Sequence, residues 1–234
     1  MKQSLSYLFT RNQLAASLAI VLILFISSCT PSSKNQVSIL DNSNCHLPCW
    51  NNIISGQTTE QDAIEVISNL SFVKKESIRI ANEPWNIFDN QVDFSFGGAD
   101  DTGDVYLSDG VVKMLYLCGN LNTTIGEITK EIGEPENIIS GGSIAGGRDV
   151  ILINPEMGVS YFYNTREFSE EVEFEIKPEI ELECLNLFDP TFFTELMDGG
   201  MFSMGHYNAE ETLRVMYSWD GYGSLDKKYP PRQP

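Results

Sequence analysis

The apolar run LAASLAIVLILFI, Leu14 to Ile26, follows a segment that carries Lys2 and Arg11 and no acid, and it breaks at Ser27 and Ser28. A basic start ahead of an apolar stretch of this length is the pattern of an export signal. A membrane-spanning helix asks for about 20 apolar residues, so the run is short for an anchor. The remainder of the chain is therefore expected to fold outside the cytoplasm, where disulfides persist. That expectation bears at once on the five cysteines, an odd number in a compartment that favours pairs.

The run ends in ISSC, Ile26 to Cys29, followed by the polar stretch TPSSKNQ. An aliphatic residue, two small residues and a cysteine in this order resemble the bacterial lipoprotein signal, the lipobox. The resemblance implies that residues 1–28 are removed as a signal peptide and that Cys29 is acylated and becomes the mature N-terminus. Residues 29–44 then form a lipidated, flexible tether, and the protein sits in the cell envelope on the extracytoplasmic side of a bacterial membrane. Each buried methylene of an acyl chain contributes about 0.8 kcal/mol, so two or three chains hold a domain firmly.

With Cys29 set aside, the remaining cysteines are even in number: Cys45, Cys49, Cys118 and Cys184. They allow three connectivities, of which Cys45 with Cys49 and Cys118 with Cys184 is the preferred one. In the chain-entropy model a loop of about five residues yields roughly 2 kcal/mol and one of about 67 roughly 4, so the second bridge is the main staple. CHLPCW does not suit a metal, because a structural zinc site wants four ligands in paired short spacings. It does not suit thioredoxin-like exchange either, which wants CxxC at a helix start.

The formal net charge is -18, and removal of Lys2 and Arg11 with the signal takes it to about -20. Such a surface repels nucleic acid and anionic lipid headgroups and favours basic partners or cations.

After the tether, Thr58 and Thr59 precede an apolar spacing, Ala63, Ile64, Ile67 and Leu70, that predicts an amphipathic helix over 59–70. Alternation at Val92, Phe94 and Phe96 and the SDG turn at Ser108–Gly110 then predict an antiparallel meander through SIRIAN, WNIFDNQVDFSFGG, DTGDVYLSDG and VVKMLYLC. The pattern begins again at LNTTIGEITKEIGEPENII, where Thr123 and Thr124 precede a second helix closed by Gly133 and Pro135. RDVILIN, GVSYFYN, EEVEFEIK and EIELECL are expected as its strands, with a turn at NPEMG. The expected fold class is α+β, with two tandem helix plus antiparallel β-meander repeats, 45–120 and 121–188, forming a two-layer sandwich. Residues 189–226 add a C-terminal helical cover: Asp189 and Pro190 open one helix, Asn208 and Glu211 form the capping box of another, and RVMYSW is open to reading as a strand. Residues 227–234 are expected as a disordered tail.

The helix capped by paired threonines, its exit IGEPENI and the following meander resemble the small α+β fold of outer-membrane assembly lipoproteins of the BamE type and of tandem-repeat β-lactamase inhibitor proteins. The resemblance covers roughly residues 53–185 and implies protein recognition rather than catalysis.

No motif for catalysis, metal binding or a cofactor stands out. GGADDTGD, with Asp100, Asp101 and Asp104, does not match the twelve-residue calcium loop and reads as a solvated hairpin tip. SGGSIAGGR, Ser140 to Arg148, lacks the GK[ST] ending of a phosphate loop and reads as a mobile recognition loop, with Ile144 and Arg148 as its candidate contacts. Glu171, Glu173 and Glu175 alternate along one strand face and do not oppose each other across a substrate. His46 and His206 lack a serine or thiol partner at any recognisable spacing. The expected function is a non-enzymatic, membrane-anchored protein-interaction module, in envelope assembly or as an inhibitor, with a small-ligand or cation binder as the alternative on account of the acidity and of Trp85 and Trp219.

Overall fold

A knot of aromatic contacts forms at CHLPCW. In the computed structural model, which describes residues 40, 45–81, 87–98, 100–142, 147–165, 173–203, 208–230 and 232, a Cys45–Cys49 disulfide closes a tight loop with a cis Leu47–Pro48 peptide. The two-residue strands β1 (Cys49–Trp50) and β2 (Ile53–Ile54) follow it and pair with each other. Trp50 is 2% exposed, with its ring centroid 6.1 Å from Phe72 and 6.0 Å from Phe94. Helix α1 (Glu60–Asn69) is capped by Thr59, whose hydroxyl accepts from the Asp62 N–H, and it buries Ala63 and Ile67, four residues apart on one face.

Strands β3 (Arg79–Ala81), β4 (Asn90–Ser95), β5 (Thr102–Ser108) and β6 (Val111–Cys118) follow in hairpin order. The β5–β6 turn places Asp109 at φ 54 and Gly110 at φ 72. Two left-handed residues in a row are what a two-residue hairpin turn matched to strand twist requires, and Asp-Gly supplies them. Helix α2 (Ile125–Ile132) has a complete capping box between Thr124 and Glu127 and stops at Gly133. Strands β7 (Asn137–Gly142), β8 (Arg148–Asn154) and β9 (Val159–Asn164) form a second meander, and β11 (Cys184–Phe188) lies beside β9. The short strand β10 (Glu175–Ile176) pairs outside this sheet with β13 (Gly223–Ser224). Helices α3 (Phe193–Asp198) and α4 (Ala209–Val215), the strand β12 (Met216–Ser218) and helix α5 (Leu225–Lys228) complete the described elements.

The strand order is β12-β7-β8-β9-β11-β6-β5-β4-β3, one nine-stranded antiparallel sheet. This corrects the expected pair of α+β repeats stacked as a two-layer sandwich: the fold is mostly β. The strands that end the two meanders, β6 and β11, pair along five residues and weld them into one surface. Nine strands at about 4.8 Å spacing span roughly 38 Å, whereas α1, at ten residues, is about 15 Å long. Helices this short sit on the sheet as patches and do not form a layer. EEVEFEIK also differs from expectation, since of its described residues only Glu175 and Ile176 are strand, and they lie apart from the main sheet.

Both sheet faces bury apolar side chains. On the inner face Val92, Val105, Leu115, Leu185 and Leu152 pack with Ala63 and Ile67 of α1 and Ile125 and Ile128 of α2. On the outer face Tyr106, Met114, Phe188 and Ile153 pack beneath Leu196 and Met197 of α3 and Val215 of α4. Residues 189–226 thus do cover the sheet, but they are not wholly helical: Met216 and Tyr217 pair with Ile139 and Ile138, which makes β12 an edge strand. Residues 227–230, expected to begin a frayed tail, are held instead. Tyr229 is 1% exposed and stacks on Trp219 at 5.8 Å, and Tyr217 donates to the Pro230 carbonyl.

Among the described residues two ion pairs fasten the cover to the sheet, Arg148–Asp226 at its end and Lys113–Asp189 at its start. Lys113 Nζ on β6 lies 3.0 Å from Asp189 Oδ2, whose other oxygen accepts from the Thr191 N–H at 3.0 Å and hydroxyl at 2.7 Å. Burial alone raises the Asp189 pKa, but the bonds from Thr191 and Lys113 prevail and hold it below the ordinary value. Because the folded pKa is depressed, the stabilisation is complete above the unfolded value of 3.8 and is lost as pH falls through the folded one. Asp189→Ala is expected to lower stability by about 3 kcal/mol at pH 7, since it leaves a half-buried ammonium unpaired. Urea denaturation checks this, and the gap between variant and wild type should close at acid pH.

Candidate functional site

In a sheet, residues directly opposite on neighbouring strands share a face, and so do residues two apart along a strand. Register therefore traces one row across the outer face: Arg79, Asp93, Asp104, Tyr116, Asn186 and Ser160, each opposite the next. The next row, one pleat away and beyond the helical cover, is Ser95, Thr102, Cys118, Cys184 and Phe162. Tyr116 in the first row and Phe162 in the second are half-buried, and the Cys118–Cys184 disulfide lies between them. Tyr116 Oη is 3.2 Å from Cys184 Sγ. Asp149 and Asn164 extend the patch on β8 and β9, with Asn164 Nδ2 donating to Asp149 at 2.5 Å.

The charge in this region is concentrated in Asp93 and Asp104, neighbours on β4 and β5. The Gln91 amide donates to Asp93 at 2.6 Å and reaches Asp104 at 3.4 Å. Burial, the charge of Asp93 and a hydrogen bond shared with Asp93 together push the Asp104 carboxyl up to about 7, against a lesser lowering by Gln91. Asp104 therefore holds its proton through a range in which an ordinary carboxylate is ionised. Burial, followed by the charges of Asp104 and Glu183, raises Tyr116 to about 12, which keeps its hydroxyl protonated as a donor. Arg79, Asp93, Ser95, Thr102 and Asp104 line an open groove of about 400 Å³ together with Ser77 and Phe94.

Gly103 sets the floor of this end of the sheet. The Phe94 ring crosses its Cα so closely that an added Cβ would lie 2.2 Å from Phe94 Cζ. Only glycine admits that approach, which packs Phe94 beneath the acidic pair.

The residues picked out from sequence are distributed as follows. Cys29, Ile144, Trp85 and His206 lie outside the described residues. Cys45 bonds Cys49, and Cys118 bonds Cys184. Arg148, expected in a recognition loop, is instead 7% exposed. Its guanidinium pairs with Asp226 on α5 and lies 3.5 Å from Ser140 Oγ, so it fastens the C-terminal helix to β8. Asp101, expected at a solvated tip, is 8% exposed and accepts from the backbone N–H groups of Gly98 and Asn120, which makes it the clasp of the β4–β5 connection. Trp219 is half-buried among Tyr222 and Tyr229 and is not an exposed aromatic. His46 meets Glu131 of α2 at 2.8 Å. Among the described residues no three His, Cys, Asp or Glu side chains converge as a metal site, and no helix is long and apolar enough to cross a membrane.

Sequence reasoning missed Asp93, Asp104, Tyr116 and Phe162 as a group. The alternation that put Val92 and Phe94 on one face did place Asp93 on the other, but which residues meet across strands depends on register. No protein family, curated protein or solved structure matches this chain.

Asp104 yields a prediction with a defined sign. Its folded pKa is raised, so it opposes folding increasingly as pH rises from about 4 to about 7, while the unfolded carboxylate ionises and the folded one does not. Asp104→Asn keeps the hydrogen bond to Asp93 without the charge. It is expected to raise stability at pH 8 by about 2 kcal/mol and to make no difference near pH 3, as followed by thermal melts across that range.

Proposed function

We propose that this chain is a bacterial lipoprotein, anchored through acylated Cys29 on the extracytoplasmic side of a membrane, whose outer sheet face binds a protein partner with a basic surface. The observation that carries the reading is the exposed part of that face. Tyr116 and Phe162 are half-buried at its centre, and Asp93, Asp104, Asp149 and Asn164 stand around them. Aromatic side chains at the centre of a patch with a polar, charged rim are the composition of a protein interface. The overall charge of -18 adds long-range attraction for a basic partner. Two disulfides support a location in an oxidising compartment, and the order of basic start, apolar run, small residues and cysteine supports the lipid anchor. A second reading, a small-ligand or cation binder, is favoured by the Asp93–Asp104 pair.

Two measurements test the proposal. Intact mass of the mature protein should show acyl groups on a chain beginning at Cys29, and Cys29→Ser should abolish both the acylation and the membrane fraction. A photo-crosslinking residue at Phe162 should capture a discrete partner in native membranes, and Tyr116→Ala in the same chain should reduce that product about tenfold or more. A crosslinker at exposed Leu213 on α4 should capture none of it. Equal capture at both positions would overturn the interface.

A further inference from the structure

The groove at the β3–β5 end of the outer face holds charges of both signs that do not neutralise each other. Arg79 is opposite Asp93, and Asp93 is opposite Asp104. Directly opposed residues have Cβ atoms about 5 Å apart, so the three side chains stand in a line roughly 10 Å long. Among the described residues no ion pair joins Arg79 to a carboxylate. Ser95 and Thr102, opposite each other on β4 and β5, present hydroxyls beside this line. The Ser77 hydroxyl is committed to the backbone, donating to the Lys74 carbonyl at 2.5 Å and accepting from the Ser95 N–H at 2.8 Å.

Three kinds of occupant can be weighed against these groups. A metal ion is poorly served, because no third ligand joins the two carboxylates among the described residues. A simple cation answers the carboxylates and leaves the guanidinium unmatched. A simple anion answers the guanidinium, whose donors form a fork suited to a carboxylate, and meets repulsion from Asp93 and Asp104. A molecule with an ammonium and a carboxylate a few bonds apart satisfies both ends. It also draws off the charge that Asp93 and Asp104 force on each other, a gain that is largest where the carboxylates are half-buried. The volume of about 400 Å³ lies in the range of small-molecule sites, about 300–1,000 Å³.

We propose that this groove binds a small zwitterion of the free amino acid class, its ammonium between Asp93 and Asp104 and its carboxylate on Arg79, with the hydroxyls of Ser95 and Thr102 beside it. The site goes beyond the protein-interface reading: it shares Asp93 and Asp104 with the rim of that patch, but Arg79 on β3 is its own and the aromatic centre on β6 and β9 takes no part in it.

The test is calorimetric titration of the full chain at pH 7.5 with glycine and L-alanine, using methylammonium and acetate as single-charge controls. Saturable binding of at least one of the two zwitterions is expected, with each control weaker by about tenfold or more. Arg79→Gln and Asp93→Asn should each weaken that binding about tenfold or more, because each removes one charged contact. Leu213→Ala, at an exposed position on α4, should leave it within about twofold. Arg79 is exposed and Asp93 only half-buried, so circular dichroism should show both variants folded. The absence of saturable binding by either zwitterion, single-charge controls that bind as well, or affinity unchanged in both variants would each overturn the proposal.

Discussion

The pairing of β6 with β11 is the contact on which the rest of the molecule depends. Each of these strands closes its own meander, and residues 114–118 meet 184–188 in unbroken register. Cys118 and Cys184 are themselves opposite partners at the end of that ladder, so the disulfide locks the register as well as the proximity. Side-chain direction alternates with period two, so a slip of one residue would turn Leu185 and Leu187 out of the inner core and bring Asn186 into it. The covalent link at the seam excludes that slip.

What lies on each face follows from this seam. The inner face is closed by α1 and α2, with Trp50, at the end of the short disulfide loop, filling the space beside Phe72 and Phe94. The outer face is closed only where α3 and α4 reach, over Met114, Phe188 and Ile153, and the Lys113–Asp189 pair holds them there. At the edge of that cluster Tyr116 and Phe162 are only half-buried, and the acidic pair stands on β4 and β5. The proposed binding surface is thus the part of a welded sheet that its own C-terminal segment covers least, and its chemistry comes from residues brought together only across strands.

Much of the local structure was legible in the sequence, because it is written within a few residues. The capping residues Thr59, Thr124 and Asn208 and the Asp109–Gly110 turn act through the backbone next to them. The cysteine pairing is the preferred one of the three that four cysteines allow. The merging of two repeats into one sheet was not legible, because repeated patterns give the content of each unit and not whether their end strands meet. EFEIK failed as a long strand because alternation alone does not supply a neighbouring ladder. Arg148 and Asp101 were misplaced on the surface because their burial depends on Asp226 and Asn120, which are distant in sequence. The acidic groove was out of reach for the same reason: Asp104, expected at a solvated tip, is a half-buried strand residue that meets Asp93 only through the β4–β5 register.

The most direct test of this account is equilibrium unfolding of a Cys118→Ala/Cys184→Ala double variant in guanidinium chloride, followed by both tryptophan fluorescence and far-ultraviolet circular dichroism. If the nine strands form one cooperative sheet locked at the β6–β11 seam, the two probes will coincide in a single transition, about 4 kcal/mol less stable than that of the disulfide-bonded protein. Two separated transitions, one for each meander, or a variant as stable as the parent, would contradict it.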